Sequence, residues 1–416
     1  MSGAVEASLI AAARAGDTFL VKQLLEEDGD YRNHDERAAA FAVAVQAFHG
    51  DIADLLLMGG ADASQCAPDE LLSLREAVDS GSPALVDVLL THSIRDRYAA
   101  SELKEMRDLA RRWCEPGAEA ELRRRTGSQD GLVYTRVQDD EYYTVGELTL
   151  GGMTVRDGHG AILTGLEELL GIRASCEELI TRALDHDQDH AAWGRAAILL
   201  SHRREQETWT AAETLRADAD PSRRLFGAEL MRLIELFADS HKEEFCVLAV
   251  DALTDWSAEE TDNAVLTEVL HGLYSYAGPR AEAALLAHVG HHDTGVRRAV
   301  AAGLGRRLNS TYLSDEAREA LLVLMSDPDT DVRIAACLSV GEVGNGDLAL
   351  TDAMAALLDH SERRVQLVAV YGLALHNDER CVEGADRLGQ PRSGFRNEEA
   401  GYLDAAWRYQ WRRDHN

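Results

Sequence analysis

The segment from Asp327 to Gly341 decides the fold. It reads Asp327-Pro328-Asp329-Thr330-Asp331-Val332-Arg333 and then Ile334-Ala335-Ala336-Cys337-Leu338-Ser339-Val340-Gly341. Apolar residues that return every three or four positions form one face of an α-helix. The aspartates cap the start of that helix, and the proline ends the helix before it. The pattern recurs at three further places, which begin at His292, Glu362 and Asp220.

The recurrence predicts six helix pairs, at residues 172–201, 205–238, 241–276, 278–308, 314–343 and 348–375. Their second helices are predicted to begin near residues 190, 221, 258, 294, 331 and 362. Such intervals suit a helical solenoid, in which each repeat packs only on its neighbours. The pairs resemble the HEAT repeat, whose second helix opens with Asp, Val and Arg. Asp331-Val332-Arg333 and Val296-Arg297 match that opening, and Leu225 and Val365 match it loosely.

A different phrase recurs in the first 125 residues. An Ala-rich stretch, a glycine-containing turn and a second helix with a Leu-Leu pair appear at 11–25, 47–62 and 78–90. These units resemble the ankyrin repeat, most closely from His49 to Asp62, although the family's Thr-Pro-Leu-His opening is absent. The missing opening indicates shortened hairpin fingers. Two further helices, Ser101–Cys114 and Ala118–Thr126, are predicted to cap the stack.

The stretch between the two arrays is not repetitive. Val133 to Val137 and Tyr142 to Val145 are rich in β-branched and aromatic residues, which predicts a hairpin. Glu147 to Val155 adds a further extended piece. We therefore predict an all-α helical-repeat solenoid with a small β-hairpin insertion. Its predicted parts are ankyrin-like repeats at 1–127, an insertion at 128–171, a HEAT-like array at 172–380 and a C-terminal cap helix at 381–416.

Composition limits the partners. The net charge is −31 over 416 residues, so nucleic acid and anionic membranes are disfavoured because both are negatively charged. A protein or peptide, preferentially basic, is favoured instead, and the oligomeric state is left open. The chain has no long apolar run and no signal-peptide pattern at its start, which favours the cytoplasm. Its arginine-rich, lysine-poor composition is typical of a GC-rich bacterial genome.

The insertion holds the candidate catalytic residues. His159 lies between two glycines, a setting that is typical of a loop residue able to approach a ligand. Asp157 and the tyrosines Tyr134, Tyr142 and Tyr143 accompany it. No motif for a cofactor is present, and none is expected. The histidine-rich turns around His186–His190 and His288–His292 fit helix caps and solvation better than a metal site, so no metal is predicted.

The repeats hold the candidate binding residues, which would anchor a partner if they are exposed on the second helices. They are Trp193, Phe226, Tyr274, Tyr276, Arg297, Arg333, Arg364 and Tyr371. The alternative for the aromatic residues is the core, and for the arginines a structural ladder with aspartates of the neighbouring repeat.

Three functions remain open. The first is a protein- or peptide-binding scaffold with an acidic concave surface. The second is a tailoring enzyme of lyase or isomerase type with its site at the insertion, since phycobilin lyases and alkylpurine DNA glycosylases resemble this helical layout. The third is an immunity or inhibitor protein for a basic partner. The absence of a nucleophile and base at catalytic spacing favours the scaffold over the enzyme.

Overall fold

The computed structural model describes residues 8–27, 34–66, 71–203, 206–236, 243–274, 278–305, 313–342, 347–392 and 398–415. It divides into two compact units, residues 1–200 and 201–416, and each is described by itself. Helices dominate both units, which confirms the predicted all-α repeat solenoid with a small β insertion. None of the described helices has both the length and the apolar character needed to cross a bilayer.

The first unit begins with helix pairs. Their bounds are α1 Leu9–Ala15, α2 Thr18–Glu27, α3 His34–Gln46, α4 Gly50–Met58, α5 Leu74–Ser80, α6 Pro83–Leu89, α7 His92–Arg95, α8 Ala100–Cys114 and α9 Ala118–Thr126, with a short 3-10 helix at Ala63–Gln65. Gly16 and Gly81 end the first helices of two pairs with φ values of 71° and 78°, a left-handed conformation that favours glycine. No strand occurs among the described residues before β1. The ankyrin relationship itself stays a prediction.

The insertion forms a three-stranded antiparallel sheet in the order β1 Val133–Gln138, β2 Thr144–Leu150 and β3 Met153–Arg156. Gly151 and Gly152 both have positive φ, 57° and 81°, which a two-residue hairpin turn requires. The further extended piece is thus the end of β2, this turn and β3. Leu148, Leu150 and Val155 are buried among the helices of this unit, whereas β1 is the exposed edge strand.

One buried carboxylate fixes the hairpin to the helices. Asp139, 1% exposed, accepts hydrogen bonds from the Ser82 hydroxyl (2.6 Å) and the Ala84 N–H (2.8 Å) at the start of α6. Arg156 of β3 donates to the same carboxylate over 3.1 Å. A carboxylate at a helix N-terminus is stabilised by the unpaired N–H groups there. The hairpin turn is therefore held against α6.

After the sheet, the first unit continues with α10 His159–Leu169, α11 Cys176–Leu184 and α12 Ala191–Arg203, which extends past residue 200. The second unit consists of α13 Gln206–Arg216, α14 Pro221–Leu236, α15 Glu243–Glu259, α16 Asn263–Leu273, α17 Pro279–Leu286, α18 Thr294–Gly305, α19 Asp315–Leu324, α20 Thr330–Glu342, α21 Leu348–Leu357, α22 Arg363–Leu375, α23 Arg380–Leu388 and α24 Glu398–His415.

These bounds agree with the predicted second helices to within one residue at five of six places; the sixth differs. α16 begins at Asn263 rather than near residue 258. The preceding helix continues to Glu259, and Asp262 then accepts hydrogen bonds from the Ala264 and Val265 N–H groups. The cap residue therefore sets the start of the helix five residues later than the apolar pattern indicated.

The second helices of the second unit, α14, α16, α18, α20, α22 and α24, pack on one another in sequence, and each also packs on its own first helix. Small residues permit this close approach. A Cβ atom at Gly305 of α18 would lie 2.5 Å from Ser339 Cα and 2.6 Å from Ser339 O on α20. The apolar residues after the acidic turns, Val296, Val332 and Val365, are fully buried. The core of this unit thus lies between the two rows of helices.

Candidate functional site

The candidate site lies in the first unit, where the turn before α10 meets the turn between α11 and α12. The Thr144 N–H at the start of β2 donates to the Asp189 carbonyl over 2.9 Å, and Thr144 forms an isolated parallel bridge with His190. These backbone contacts bring the insertion to the histidine-rich turn. Asp157, which follows β3, thereby lies beside His186 and His190.

Asp157 and His190 form a hydrogen-bonded pair. Asp157 Oδ1 lies 2.8 Å from His190 Nε2 and 2.6 Å from the Gly146 nitrogen, which donates to it. His190 Nδ1 accepts the N–H of Ala192 over 3.1 Å at the start of α12. An N–H can only donate, so Nδ1 carries the lone pair and the neutral ring carries its proton on Nε2. Both nitrogens of His190 are therefore engaged.

Charge and burial set the protonation of Asp157. Burial raises the pKa of this carboxyl, but hydrogen bonds from His190 and Gly146 and the charges of His190 and His186 hold the pKa below its ordinary value. The Asp157 side chain is 14% exposed. Asp157 is thus a largely buried carboxylate that is ionised at neutral pH.

His186 completes the cluster. Its ring stacks on that of His190 with a centroid separation of 3.6 Å and an interplanar angle of 2°. Burial, followed by the neighbouring His190, lowers the pKa of His186 to about 4, so the ring is neutral at pH 7. One ligand atom from each of Asp157, His186 and His190 lies within 4.8 Å of the others. Two imidazoles and one carboxylate therefore converge on one point.

The structure corrects the loop assignment of His159. This histidine is the first residue of α10, is 1% exposed and stacks on Trp113 at 4.8 Å. Gly158 is needed for packing, since a Cβ there would lie 2.5 Å from Pro83 Cγ. Burial lowers the pKa of His159 to about 4, against the opposing effect of the Asp79 backbone. The distance and angle between the Asp79 backbone and the His159 ring are outside those of a hydrogen bond. Neither ring nitrogen of His159 has a hydrogen-bond partner among the described residues.

A cavity of about 430 Å³ adjoins the cluster. Its lining residues are Trp113, Cys114, Glu115, Pro116, Gly117, Ala118, Asp157, His159, Gly160, Arg182, Asp185 and His186. The arginine of this lining, Arg182, forms an ion pair with Glu167 over 2.7 Å. The three carboxylates of the lining therefore make the cavity attractive to a cation.

The cavity has no activated nucleophile in its lining. Burial raises the pKa of the Cys114 thiol, so this cysteine is protonated at neutral pH and is a weak nucleophile. His190 cannot act as a base because Asp157 and the Ala192 N–H occupy its two nitrogens. The chemistry of the cluster is therefore that of a ligand set for a cation more than that of an acyl- or group-transfer site.

The structure brings together only part of the predicted catalytic set. Tyr134 lies beside Asp157: a Cβ atom at Gly146 would touch both its ring and the Asp157 carboxylate. Tyr142 is 70% exposed in the hairpin turn, where its N–H donates to Asp140. The Tyr143 ring instead packs against Gly194 of α12.

The sequence predicts that His186 and His190 serve as helix caps and not as part of the site. His190 is indeed a capping residue, since it accepts the Ala192 N–H. The missed signal is that two histidines four residues apart flank the start of a helix next to the insertion. Their meeting with Asp157 depends on a contact across about 30 residues, which spacing along the chain does not show.

Two of the predicted binding aromatics are core residues, which corrects their assignment. Trp193 is 1% exposed and Phe226 is fully buried, so neither side chain reaches a partner. Tyr274 is partly buried at the end of α16. Tyr371 is partly buried and packs on Tyr402 with a centroid separation of 5.2 Å. Tyr276 lies outside the described residues.

The predicted binding arginines already take part in contacts, Arg297 with the next repeat and Arg333 with the turn of its own repeat. Arg297 donates to both oxygens of Asp327 (2.7 and 3.0 Å) and to the carbonyls of His291 and His292. Arg333 donates to the Thr330 hydroxyl over 2.9 Å and to the Asp327 carbonyl.

Arg364 is different, since it is 64% exposed and, among the described residues, forms one ion pair, with Asp331 over 3.2 Å. A binding role for Arg297 therefore requires breaking its existing pairs, whereas Arg364 is accessible.

Where the structure describes side-chain exposure, the exposed acids of the second unit lie mostly on the first helices. We call these the outer acidic face: Glu207, Glu213, Asp255, Glu259, Asp315, Glu316, Glu319, Asp352, Glu383 and Asp386. The other exposed acids lie on second helices or in turns: Asp331, Glu398, Asp414, Asp220, Asp359, Glu362 and Glu379. The second helices pack on one another and on their first helices, which leaves few of their side chains exposed.

Comparison with known proteins bears on the repeats. The HEAT-repeat family model matches residues 283–374, and no curated protein is significantly similar to the chain. An X-ray structure of YibA from Escherichia coli has 17% identity and a TM-score of 0.41, covering 59% of this chain and 96% of that one. A crystal structure of an engineered protein has 15% identity and a TM-score of 0.37, covering 93% and 98%.

Both TM-scores are below 0.5. The family match runs from within α17 to the end of α22. In that segment the chain is similar to HEAT repeats both in sequence and in the order of its helices.

Proposed function

We propose that this helical-repeat scaffold binds a protein or peptide of basic character through its outer acidic face. One observation carries the proposal: exposed carboxylates lie on five of the six first helices of the second unit, at Glu213, Glu259, Glu316, Asp352 and Glu383, while the acid of the remaining first helix, Glu282 of α17, is partly buried. A solenoid presents each repeat at a regular offset, so the carboxylates form an extended acidic surface. Such a surface favours long cationic segments over small ligands.

The pairing of the arginines supports this assignment. Within the second unit Arg224, Arg297 and Arg363 form ion pairs with Glu260, Asp327 and Glu399, which hold neighbouring repeats together. Positive charge is thus used between repeats. The exposed acids Glu316 and Glu319 on α19 have no ion pair among the described residues, which leaves their charge available to a partner.

An immunity or inhibitor protein for a basic partner would use the same surface. It differs in predicting one partner with strong salt dependence, because screening weakens the attraction between exposed charges. The enzyme alternative has less support, since the cavity lining holds no activated nucleophile. A cytoplasmic location agrees with the proposal and is part of it.

The test uses a defined probe, a 20-residue unstructured peptide rich in Arg and Lys, with an acidic peptide of equal length as the comparison. Binding is measured by fluorescence anisotropy at 50 and 300 mM salt with a chelator present. We expect the basic peptide alone to bind, and its affinity to fall several-fold at the higher salt. Equal binding of both peptides, or binding that ignores salt, would contradict the proposal.

A matched pair of variants locates the surface. Glu316→Gln with Glu319→Gln removes two charges from the outer acidic face, and Glu105→Gln with Glu177→Gln removes two exposed charges from the first unit. The first variant is expected to weaken peptide binding at least threefold more than the second. Equal losses would mean that net charge attracts the peptide and that the outer acidic face is not the site.

A further inference from the structure

We propose that Asp157, His186 and His190 bind one divalent transition-metal ion, with Zn²⁺ as the best fit. The proposal does not depend on the outer acidic face, whose test is performed with a chelator present. It assigns a second property to the chain, at the cluster where the insertion meets the histidine-rich turn.

The types of ligand favour zinc over the hard cations. Imidazole nitrogen suits Zn²⁺ and its neighbours in the transition series, whereas Mg²⁺ and Ca²⁺ prefer all-oxygen sites. A set of two histidines and one carboxylate is common in zinc sites that keep an open coordination position. Both sources of nitrogen here, His186 and His190, lie on one short turn, and Asp157 approaches from a different segment.

The distances require a small closure. Donor atoms bound to one zinc ion lie about 3.4 Å apart, since each bond is about 2.1 Å long in tetrahedral geometry. Asp157 Oδ1 and His190 Nε2 are already 2.8 Å apart. The full set spans 4.8 Å at most, so the His186 ring needs to move by no more than about 1.4 Å to reach the zinc distance of about 3.4 Å. His186 lies in the turn after α11, where a ring rotation does not disturb a helix.

Metal binding also replaces two existing interactions. The proton that His190 shares with Asp157 gives way to the ion, and the parallel stack of the two imidazoles opens because each nitrogen lone pair lies in its ring plane. With the ion on Nε2, Nδ1 carries the proton and no longer accepts the Ala192 N–H. Binding is therefore coupled to the first turn of α12.

The cavity supplies a route and an open position. Asp157 and His186 both line it, together with the carboxylates of Glu115 and Asp185. The negative wall raises the local concentration of cations, and a fourth coordination position directed into the cavity admits water or a small ligand. A metal site needs such an entry path, which a fully enclosed cluster lacks.

The experiment uses the full chain after treatment with a chelator and dialysis. Co²⁺ is titrated and followed by its visible ligand-field absorption, and Zn²⁺ is then added in competition. We expect one Co²⁺ per chain, displaced by one Zn²⁺, and a higher melting temperature in the presence of Zn²⁺. The melting measurement needs no variant, so a wild-type chain without a one-equivalent site and without a thermal shift overturns the proposal.

Two variants and a control assign the ligands. His186→Phe keeps an aromatic ring at position 186 to stack on His190 but removes both of its nitrogens. Asp157→Asn keeps a hydrogen-bond acceptor but removes the negative charge. Each is expected to weaken binding at least 100-fold. His291→Phe removes a histidine from the other histidine-rich turn, whose Nδ1 accepts the Asp293 N–H over 3.2 Å as His190 accepts Ala192. It is expected to bind like the wild type, and equal affinity in all three variants refutes the assignment.

Discussion

Replacing Arg297 with alanine should destabilise the second unit far more than the same change at Arg364. Both arginines lie in the first turn of a second helix, α18 and α22, and both are candidates for binding a partner. Their surroundings differ. The Arg297 and Asp327 side chains are 13% and 7% exposed, whereas those of Arg364 and Asp331 are 64% and 53% exposed. The comparison separates a structural ladder from a surface contact.

The magnitudes follow from this burial. Removing one partner of a buried ion pair costs about 3–5 kcal/mol, because a buried charge is left unpaired. Asp327 keeps the Asp329 N–H at 2.9 Å, so we expect the lower end, about 3 kcal/mol. An exposed pair contributes about 0–0.5 kcal/mol. At about 2–4 °C per kcal/mol for a domain of this size, Arg297→Ala lowers the melting temperature by about 6–12 °C and Arg364→Ala by less than about 2 °C.

Circular dichroism melting at pH 7 measures both variants against the wild type. The pH dependence gives a second readout. Burial raises the pKa of Asp327, but the hydrogen bonds from Arg297 and Asp329 outweigh this and lower it. A lowered carboxyl pKa stabilises the fold above the ordinary value of about 3.9 and loses that effect as pH falls through the lowered value. Equal shifts for the two variants, or a difference that vanishes near pH 6, would refute the reasoning.

Two further predictions concern packing and burial. Because the folded chain keeps His159 neutral down to a pKa of about 4 and the unfolded chain binds a proton near 6.5, His159 accounts for about 2 kcal/mol of the stability that the wild type loses between pH 7 and pH 5. His186, whose pKa is also about 4, adds a loss of its own. His159→Phe should make the total loss smaller by about 2 kcal/mol in urea titrations at the two pH values, and an unchanged loss contradicts a buried neutral ring. Gly305→Ala drives a Cβ into Ser339 of α20 and should cost about 1–3 kcal/mol. A Cβ atom at Gly401 of α24 would have no atom within 4 Å, so Gly401→Ala should raise the free energy of unfolding by up to about 1 kcal/mol. If both variants changed that free energy in the same direction, the result would argue against close contact between α18 and α20.

The fold could be predicted from the sequence because its signals are local. Asp329 and Asp331 precede the buried face of α20, and the same order of cap and apolar residues recurs in other repeats. α16 was misplaced because the apolar pattern continues through α15, and the cap at Asp262 gives no apolar signal. The predicted C-terminal cap proved to be a helix pair: α24 packs on α22 as α22 packs on α20.

The candidate site could be predicted only in part because it depends on contacts that are distant in sequence. The sequence predicts Asp157 from its place in the insertion and Tyr134 from its residue type. The glycines beside His159 indicated a flexible loop, although Gly158 is small because Pro83 packs against it. No local pattern shows that Trp113 of α8 packs on His159. Nor does any show that the Asp189 carbonyl accepts the Thr144 N–H of β2.

The insertion joins two parts of the first unit through buried carboxylates at helix starts. Asp139 binds the first turn of α6, and Asp157 binds His190, which caps α12. A buried carboxylate is costly unless charge or hydrogen bonds offset its desolvation. Arg156 supplies positive charge at Asp139, but burial still raises the pKa of Asp139. At Asp157 the hydrogen bonds and charges of the histidines outweigh burial and hold the pKa below its ordinary value. The junction is therefore more completely compensated at Asp157 than at Asp139, and a cation bound at Asp157 would replace interactions that already hold the sheet against the helices.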